Sequence, residues 1–129
     1  MKMQSFWGWP TNPHYDPTRA YNGGGYWQYQ GGALYMTEDG RPVVIETEDA
    51  SQGDFGTIYG YTITVDGMVY RDDWGSSGCM GGQYAASIPR LRAAAGKIGI
   101  LAEDLADYIR QADEAANMAA GWTWEEAQQ

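Results

Sequence analysis

Paired carboxylates are the residues of this sequence whose types and spacing could do chemistry. Glu46 and Glu48 are two positions apart, and Asp72 and Asp73 are adjacent. Two carboxyl groups can perform general acid–base or glycosidic chemistry when one of them is desolvated and its pKa is raised. In a chain with a formal charge of -9, carboxylates also fall near one another by chance. Such pairs then belong to solvated faces that keep the protein soluble.

The same carboxylates suggest a negatively charged binding surface. Residues two apart on a strand are about 6.6 Å apart along it, which is comparable to the spacing of phosphates along a nucleic-acid strand. Such a surface could occupy the groove that a partner uses for DNA or RNA, and its charge would steer association. The partner-binding residues predicted on this basis are Glu46, Glu48, Asp49, Asp54, Asp72, Asp73, Trp27 and Tyr29.

These features favour a non-enzymatic, acidic interaction protein. The specific hypothesis is an inhibitor of the phage or mobile-element type, which blocks nucleic-acid-handling defence machinery in the manner of an anti-CRISPR protein or a nucleic-acid mimic. Its partner would be a protein with a basic nucleic-acid-binding groove, and no cofactor is expected. Two alternatives stay open: a small enzyme that uses Cys79 or a carboxylate pair, and a carbohydrate or small-ligand binder that uses the aromatic N-terminal block.

Cys79 is the one thiol in the chain, and His14 is the one histidine. A glycine-rich loop before a helix can lower a thiol pKa, but a nucleophilic thiolate also needs a base. Cys79 and His14 lie on segments with no predicted pairing, so we expect Cys79 to be a dispensable structural thiol. A single cysteine also provides neither a disulfide nor a zinc site. The stretch from Glu46 to Asp54 lacks the residue order of a dedicated calcium loop.

Nine aromatic residues are concentrated near the N-terminus. They could form a stacking platform or an interface hot spot, since Trp and Tyr dominate such surfaces. The interpretation that we favour is that they form the core, because Leu, Ile, Val and Phe together make up only about 13% of the chain, below the ~20% under which a charged sequence is flagged as disordered. The residues are Phe6, Trp7, Trp9, Tyr15, Tyr21, Tyr26, Trp27, Tyr29 and Tyr35.

Length and charge restrict the class of protein. The 129 residues correspond to one domain. A sequence pI near 4.3 argues against direct binding to a phosphate backbone. No apolar run has the length of a membrane span or a signal peptide, so we expect a soluble, cytoplasmic protein.

Turn signals and alternation predict how the carboxylates are positioned. We expect an aromatic and proline-rich coil over residues 1–25, an antiparallel meander of about five strands over 26–73 and a glycine-rich loop over 74–86. Gly31-Gly32 and Asp66-Gly67 are predicted hairpin turns, the second being the stronger signal. Across Asp66-Gly67, Val65 should flank Met68 and Ile63 should oppose Tyr70, with Tyr61, Ile63 and Val65 facing the core.

Residues 87–120 are predicted to be helical. Apolar residues recur there every three or four positions, which is typical of amphipathic helices. Pro89 suits a first helical turn, and Gly96 and Gly99 predict a break or kink, which gives helices over about 88–95 and 101–119. Glu103, Asp104 and Asp107 exclude a DNA-reading second helix, because a recognition helix needs basic or amide side chains there. The predicted fold is therefore α+β, with two C-terminal helices, or one kinked helix, packed on the sheet. The predicted apolar stripe is Ile88, Leu91, Ala95, Ile98, Leu101, Leu105, Ile109, Ala112, Ala116 and Ala119.

Overall fold

A computed structural model describes residues 1–8, 12–14, 31–47, 60–73 and 89–119. Five antiparallel strands form one sheet in sequence order, and two helices follow them, which confirms the predicted α+β meander with C-terminal helices. The strands are β1 (Lys2–Trp7), β2 (Gly31–Met36), β3 (Pro42–Thr47), β4 (Gly60–Val65) and β5 (Met68–Asp73). The helices are α1 (Pro89–Ile98) and α2 (Ala102–Ala119).

The β4–β5 hairpin forms as the alternation and the Asp-Gly dipeptide predict. Asp66 and Gly67 both have positive φ angles, 52° and 74°, as a two-residue type I′ turn requires. Val65 pairs with Met68, and Ile63 pairs with Tyr70. The predicted register is therefore confirmed, and the odd-numbered residues of β4 are buried in the core.

The start of the sheet differs from the prediction. Residues 2–7 form β1 rather than part of a coil, since the three prolines that exclude a strand begin only at Pro10. Gly31 and Gly32 lie inside β2 and pair with Thr47 and Glu46 of β3, so the predicted hairpin turn at these glycines is wrong. Composition predicts a turn at a glycine pair, but it does not show that the Trp7 ring packs so closely on Gly32 that a side chain there would not fit. The predicted strand over 26–30 lies outside the described residues.

The helices begin and end close to the predicted positions. Gly99, with φ 92°, ends α1, and its amide and that of Ile100 both donate to the carbonyl oxygen of Ala95, at 2.8 and 3.0 Å. Gly96 lies within α1 without breaking it. Leu101 is 66% exposed, so its predicted place in the apolar stripe is wrong. Its carbonyl instead accepts the amide of Leu105, at 3.0 Å, at the start of α2.

One face of the sheet, here called the helix-covered face, packs against both helices. α2 lies against β1, β2 and β3, and α1 lies against β4 and β5. The helices contribute Leu91, Ile98, Leu105 and Ile109 to this core. The strands contribute Ala33, Tyr35, Val43, Ile45, Tyr61, Ile63 and Val65.

Two polar contacts fix α2 on this face. The hydroxyl of Thr47 donates to Asp113 Oδ1 at 2.9 Å, and both groups are buried. Within α2 itself, Asn117 Nδ2 donates to the backbone oxygen of Asp113 at 2.9 Å. Nearer the start of α2, the Tyr35 hydroxyl donates to the carbonyl oxygen of Tyr108 at 3.1 Å, and their rings meet edge to face. Burial raises the pKa of Tyr35, and the neighbouring Tyr108 raises it further.

Arg41 joins two turns to the end of α1. Its guanidinium contacts Asp39 at 3.0 Å and Asp66 at 2.7 Å. It also donates to the carbonyl oxygens of Lys97 and Ile98 at 3.0 and 2.9 Å, where a cation is favoured by the helix dipole. Hydrogen bonds from Thr37 and then Arg41 lower the pKa of Asp39.

Candidate functional site

A row of five residues crosses the face of the sheet opposite the helices. Trp7 pairs with Gly32, Gly32 with Glu46, Glu46 with Thr62, and Thr62 with Arg71, one residue from each strand. These positions alternate along their strands with the residues of the helix-covered core. We call this set the polar row and its side of the sheet the second face.

Glu46 is the central residue of the polar row and is fully buried. Asn12 Nδ2 donates to Glu46 Oε2 at 2.7 Å, so an amide from the N-terminal region holds the carboxylate. The expectation that Glu46 forms part of an exposed acidic surface is therefore wrong. Glu46 lies on the side of the sheet away from the helices, and strand alternation alone does not show whether that side is covered.

Trp7 lies at the β1 end of the polar row and is 6% exposed. Its ring meets that of His14 with centroids 4.8 Å apart, and the His14 amide donates to Asn12 Oδ1 at 2.8 Å. The buried indole N–H of Trp7 has no acceptor among the described residues. A Trp donor in a buried position ordinarily has a partner, so this atom is a candidate contact point for a ligand hydroxyl.

Gly32 allows Trp7 to pack this closely. A Cβ placed on Gly32 would lie 2.4 Å from the backbone oxygen of Ile45 and 3.0 Å from the Trp7 ring atom Cζ2. The indole thus rests directly on the backbone of β2. Chemically, the polar row combines one carboxylate, one guanidinium, one hydroxyl and one indole.

A different, exposed charged surface runs along α2. Glu103, Asp104, Asp107 and Glu114 all face solvent, and Arg110 contacts Asp107 at 3.5 Å. We call this set the acidic helix face. The opposite side of the same helix is buried on the sheet, so the carboxylates are held on a fixed support. Met118, 64% exposed, lies at the far end of α2.

The neighbouring helix α1 has the opposite charge. Arg90, Arg92 and Lys97 are exposed, and its sequence contains no acidic residue. Arg90 and Lys97 lie on one flank of the exposed side of this helix and Arg92 on the other, and we call these three residues together the basic helix face. The two helices contact each other and lie on the same side of the sheet. The helical layer therefore carries positive charge over β4 and β5 and negative charge over β1, β2 and β3.

Only part of the predicted partner-binding set can be located. Asp72 and Asp73 lie on β5, where they pair with Tyr61 and Gly60. Neither Cys79 nor the rest of the predicted set falls within the described residues, so their grouping stays a prediction. That remainder consists of Glu48, Asp49, Asp54, Trp27 and Tyr29.

Sequence reasoning missed the polar row and assigned the carboxylates of α2 to an ordinary solvated face. The polar row depends on the register of β1, a segment that the sequence pattern predicts to be coil. The signal for the helix face was present, because residues 103, 107 and 114 share one side of a helix at 3.6 residues per turn. The contrasting charge of residues 90–97 was equally visible in the sequence.

No protein-family model, curated protein or solved structure matches the chain. Within the described ranges, no helix is both long enough and apolar enough to cross a membrane. The same residues include no group of three or more His, Cys, Asp or Glu side chains that could hold a metal ion. The charges and contacts of the two surfaces described above are therefore the basis on which a function is inferred.

Proposed function

We propose that this chain is a non-enzymatic interaction protein that binds a basic surface of a partner protein through the acidic helix face. The observation that carries the proposal is the arrangement of Glu103, Asp104, Asp107 and Glu114 on the solvent side of a helix whose other side is buried. We therefore place the proposed contact on α2 rather than on the strand carboxylates, because Glu46 is buried and accepts a hydrogen bond from Asn12.

The spacing of these carboxylates favours a partner that ordinarily binds nucleic acid. Glu103 and Asp107 are one turn apart, about 6 Å along the helix axis, which is comparable to the phosphate spacing along one strand. A basic groove would attract this face over the Debye length, which is about 8 Å at physiological ionic strength. Binding there would exclude DNA or RNA from the groove, which is the action of an inhibitor.

A charge-reversal pair tests the proposal. Glu114→Lys changes the acidic helix face, and Glu38→Lys makes the same charge change on the β2–β3 turn, where Glu38 is also exposed. Tagged wild-type and variant proteins would be used to capture partners at 0.1 M and 0.5 M salt, with and without added duplex DNA or RNA. Captured proteins would be identified by mass spectrometry, and each purified candidate would be titrated.

Support requires three results together: the captured protein binds nucleic acid on its own, added nucleic acid releases it, and Glu114→Lys weakens binding at least fivefold while Glu38→Lys does not. The association rate should fall more than the dissociation rate rises, since exposed charges act mainly on encounter. Equal binding by the wild-type protein and Glu114→Lys at 0.1 M salt would reject α2 as the contact.

A second candidate function is the binding of a small hydroxylated ligand, such as a sugar, at the polar row. The buried Trp7 N–H favours it, because a ligand hydroxyl can accept a hydrogen bond from an indole. Titration calorimetry with a set of mono- and disaccharides would test it. Saturable heat that Trp7→Phe abolishes would support this function, since Phe keeps an aromatic ring but lacks the N–H; absence of heat with every sugar would reject the sugar class.

A further inference from the structure

The basic and acidic helix faces lie side by side on one molecule, so each copy carries both halves of a complementary contact. Arg92 and Lys97 are exposed on α1, and Glu103 and Glu114 are exposed on α2. An isologous interface brings the same patch of two copies together, so a residue of one copy meets a different residue of the other. Two opposite charges on one patch satisfy that geometry without placing like charges opposite each other.

We propose that two copies of this chain associate through their helical layers, with α1 of each copy against α2 of the other. Exposed apolar side chains accompany the charges, with Leu101 at the link between the helices and Met118 near the end of α2. Aromatic residues, Met and Arg are enriched at interfaces, whereas isolated carboxylates are not. The combination on this layer is suited to a second copy of the chain.

The size of the layer predicts a weak dimer. Helices of 10 and 18 residues are about 15 and 27 Å long and about 10 Å wide, so their outer faces cover roughly 400 Å² per copy. A standard stable interface buries about 800 Å² per partner. We therefore expect a reversible dimer with a dissociation constant in the range of tens to hundreds of micromolar.

Salt should affect the dimer in two opposing ways. Each copy carries a formal charge of -9, which produces long-range repulsion at very low ionic strength. At about 0.1 M salt the Debye length is about 10 Å, so the net repulsion is largely screened while charge pairs in contact still attract. At 1 M salt, with a Debye length of about 3 Å, the pairs are screened as well. Association should therefore be strongest near 0.1 M.

The dimer covers the same face that the proposed partner would use, so self-association and partner binding should compete. This inference does not depend on the proposed function, because it is tested with the purified chain alone. Arg92→Glu distinguishes self-association from partner binding, since it disrupts the basic helix face and leaves all four carboxylates of α2 in place. A variant that is monomeric and still binds the partner would support both proposals.

Sedimentation equilibrium between 10 µM and 1 mM provides the test, with circular dichroism to check that each variant is folded. Arg92→Glu and Glu114→Lys should each raise the dissociation constant at least tenfold at 0.1 M salt, whereas Glu38→Lys should change it less than twofold. An equimolar mixture of Arg92→Glu and Glu114→Lys should regain dimerisation. In the mixed dimer the carboxylate introduced at position 92 of one copy meets the ammonium introduced at position 114 of the other, and the remaining wild-type pair is kept.

Three outcomes would overturn the proposal. The first is a wild-type protein that stays monomeric at 1 mM and 0.1 M salt. The second is a dimer that both single reversals leave unchanged, which would place the contact elsewhere. The third is failure of the folded mixture to associate more tightly than either variant alone, since recovery by mixing is specific to a contact between α1 and α2.

Discussion

Ile45 and Glu46 are consecutive residues of β3, and both are fully buried, yet they enter different surroundings. The Ile45 side chain packs in a core of apolar side chains from both helices, where the hydrophobic attraction is non-directional and proportional to the buried apolar area. Glu46 enters the second face, where a carboxylate is retained through a hydrogen bond from Asn12. The helix-covered face therefore depends on volume, whereas the second face depends on particular atoms.

This difference has consequences for tolerance to mutation. A hydrocarbon core accepts residues of similar shape and size, because neighbouring side chains can repack. A buried polar group that loses its partner retains the full penalty of its desolvation. We therefore expect the helix-covered face to respond to lost volume and the second face to respond to a single lost donor or a single added atom.

Loss of volume on the helix-covered face should have the largest effect. Ile45→Ala removes buried apolar volume between β3 and the helices and should lower the free energy of unfolding by about 4 kcal/mol. Urea denaturation at 25 °C would measure it. Val44→Ala, on the half-buried neighbouring position, is the control and should cost about 1 kcal/mol. Equal losses at the two positions would contradict the assignment of the faces.

An added methyl group on the second face should have the next largest effect. Gly32→Ala places a Cβ against the Ile45 carbonyl oxygen and the Trp7 ring, so the backbones must separate, at a cost of about 3 kcal/mol. Gly96→Ala is the matched control, because nothing lies within 4 Å of its added Cβ. That variant should raise stability by about 0.5–1 kcal/mol through helix propensity. A neutral Gly32→Ala in urea denaturation would show that the indole does not rest on β2.

Loss of the donor to Glu46 should have a smaller but more specific effect. Asn12→Ala removes the amide and should cost about 2 kcal/mol, the range for a hydrogen bond to a charged group. Asn12→Asp keeps the shape but sets two carboxylates against each other, so it should cost more at pH 7. Its extra cost should shrink as acid protonates one of them. Thermal melts from pH 4 to 8 would show this convergence, and parallel curves would argue against contact between residues 12 and 46.

The two faces also differ in how far the sequence predicts them. The alternation of Tyr61, Ile63 and Val65 and the Asp66-Gly67 dipeptide give the hairpin, its register and its buried side, because these are local properties. Helix bounds follow similarly from spacing and from Gly99. Local pattern decides these elements, since each residue needs only its near neighbours to determine its conformation.

The second face depends on contacts between distant segments, which a single sequence does not reveal. Gly32 resembles a turn residue until Trp7 is seen to lie on it, and the prolines that follow β1 make that strand resemble coil. Glu46 resembles a solvated acid until Asn12, 34 positions earlier, is placed beside it. Burial of a charged side chain is decided by what covers it, so the polar row was less predictable than the fold.

Tyr35 provides a polar group on the helix-covered face for comparison with Glu46. Tyr35→Phe removes the hydrogen bond to the Tyr108 carbonyl and should cost about 1 kcal/mol at pH 7, because the ring volume is kept. The raised pKa of Tyr35 also predicts that the stability of the protein changes with pH in alkaline solution. Above a pH of about 10 the unfolded phenol ionises while the folded phenol stays neutral, so the stabilising effect of Tyr35 is lost as the pH rises. Between pH 9 and 11.5, the free energy of unfolding measured with denaturant should decline less steeply with pH for Tyr35→Phe than for the wild-type protein. An identical dependence on pH would contradict the burial of the hydroxyl.

The smallest effect is expected at Asp39, whose carboxylate is held by Thr37 and Arg41 outside both faces. Its pKa is lowered, so the folded state binds a proton less readily than the unfolded state, and this contribution is present above the ordinary pKa near 4 and lost as the pH falls through the lowered value. Asp39→Asn should therefore melt slightly below wild type at pH 6, and this difference should shrink as the pH falls below about 4. Because the pair is exposed, 0.5 M salt should remove most of the difference at pH 6.

The difference in melting temperature between Asn12→Ala and the wild-type protein should persist in the same salt, since buried pairs are screened much less. If salt removed both differences equally, the Asn12–Glu46 contact would be as exposed as the Asp39–Arg41 pair, and the contrast between the second face and the surface turns would fail.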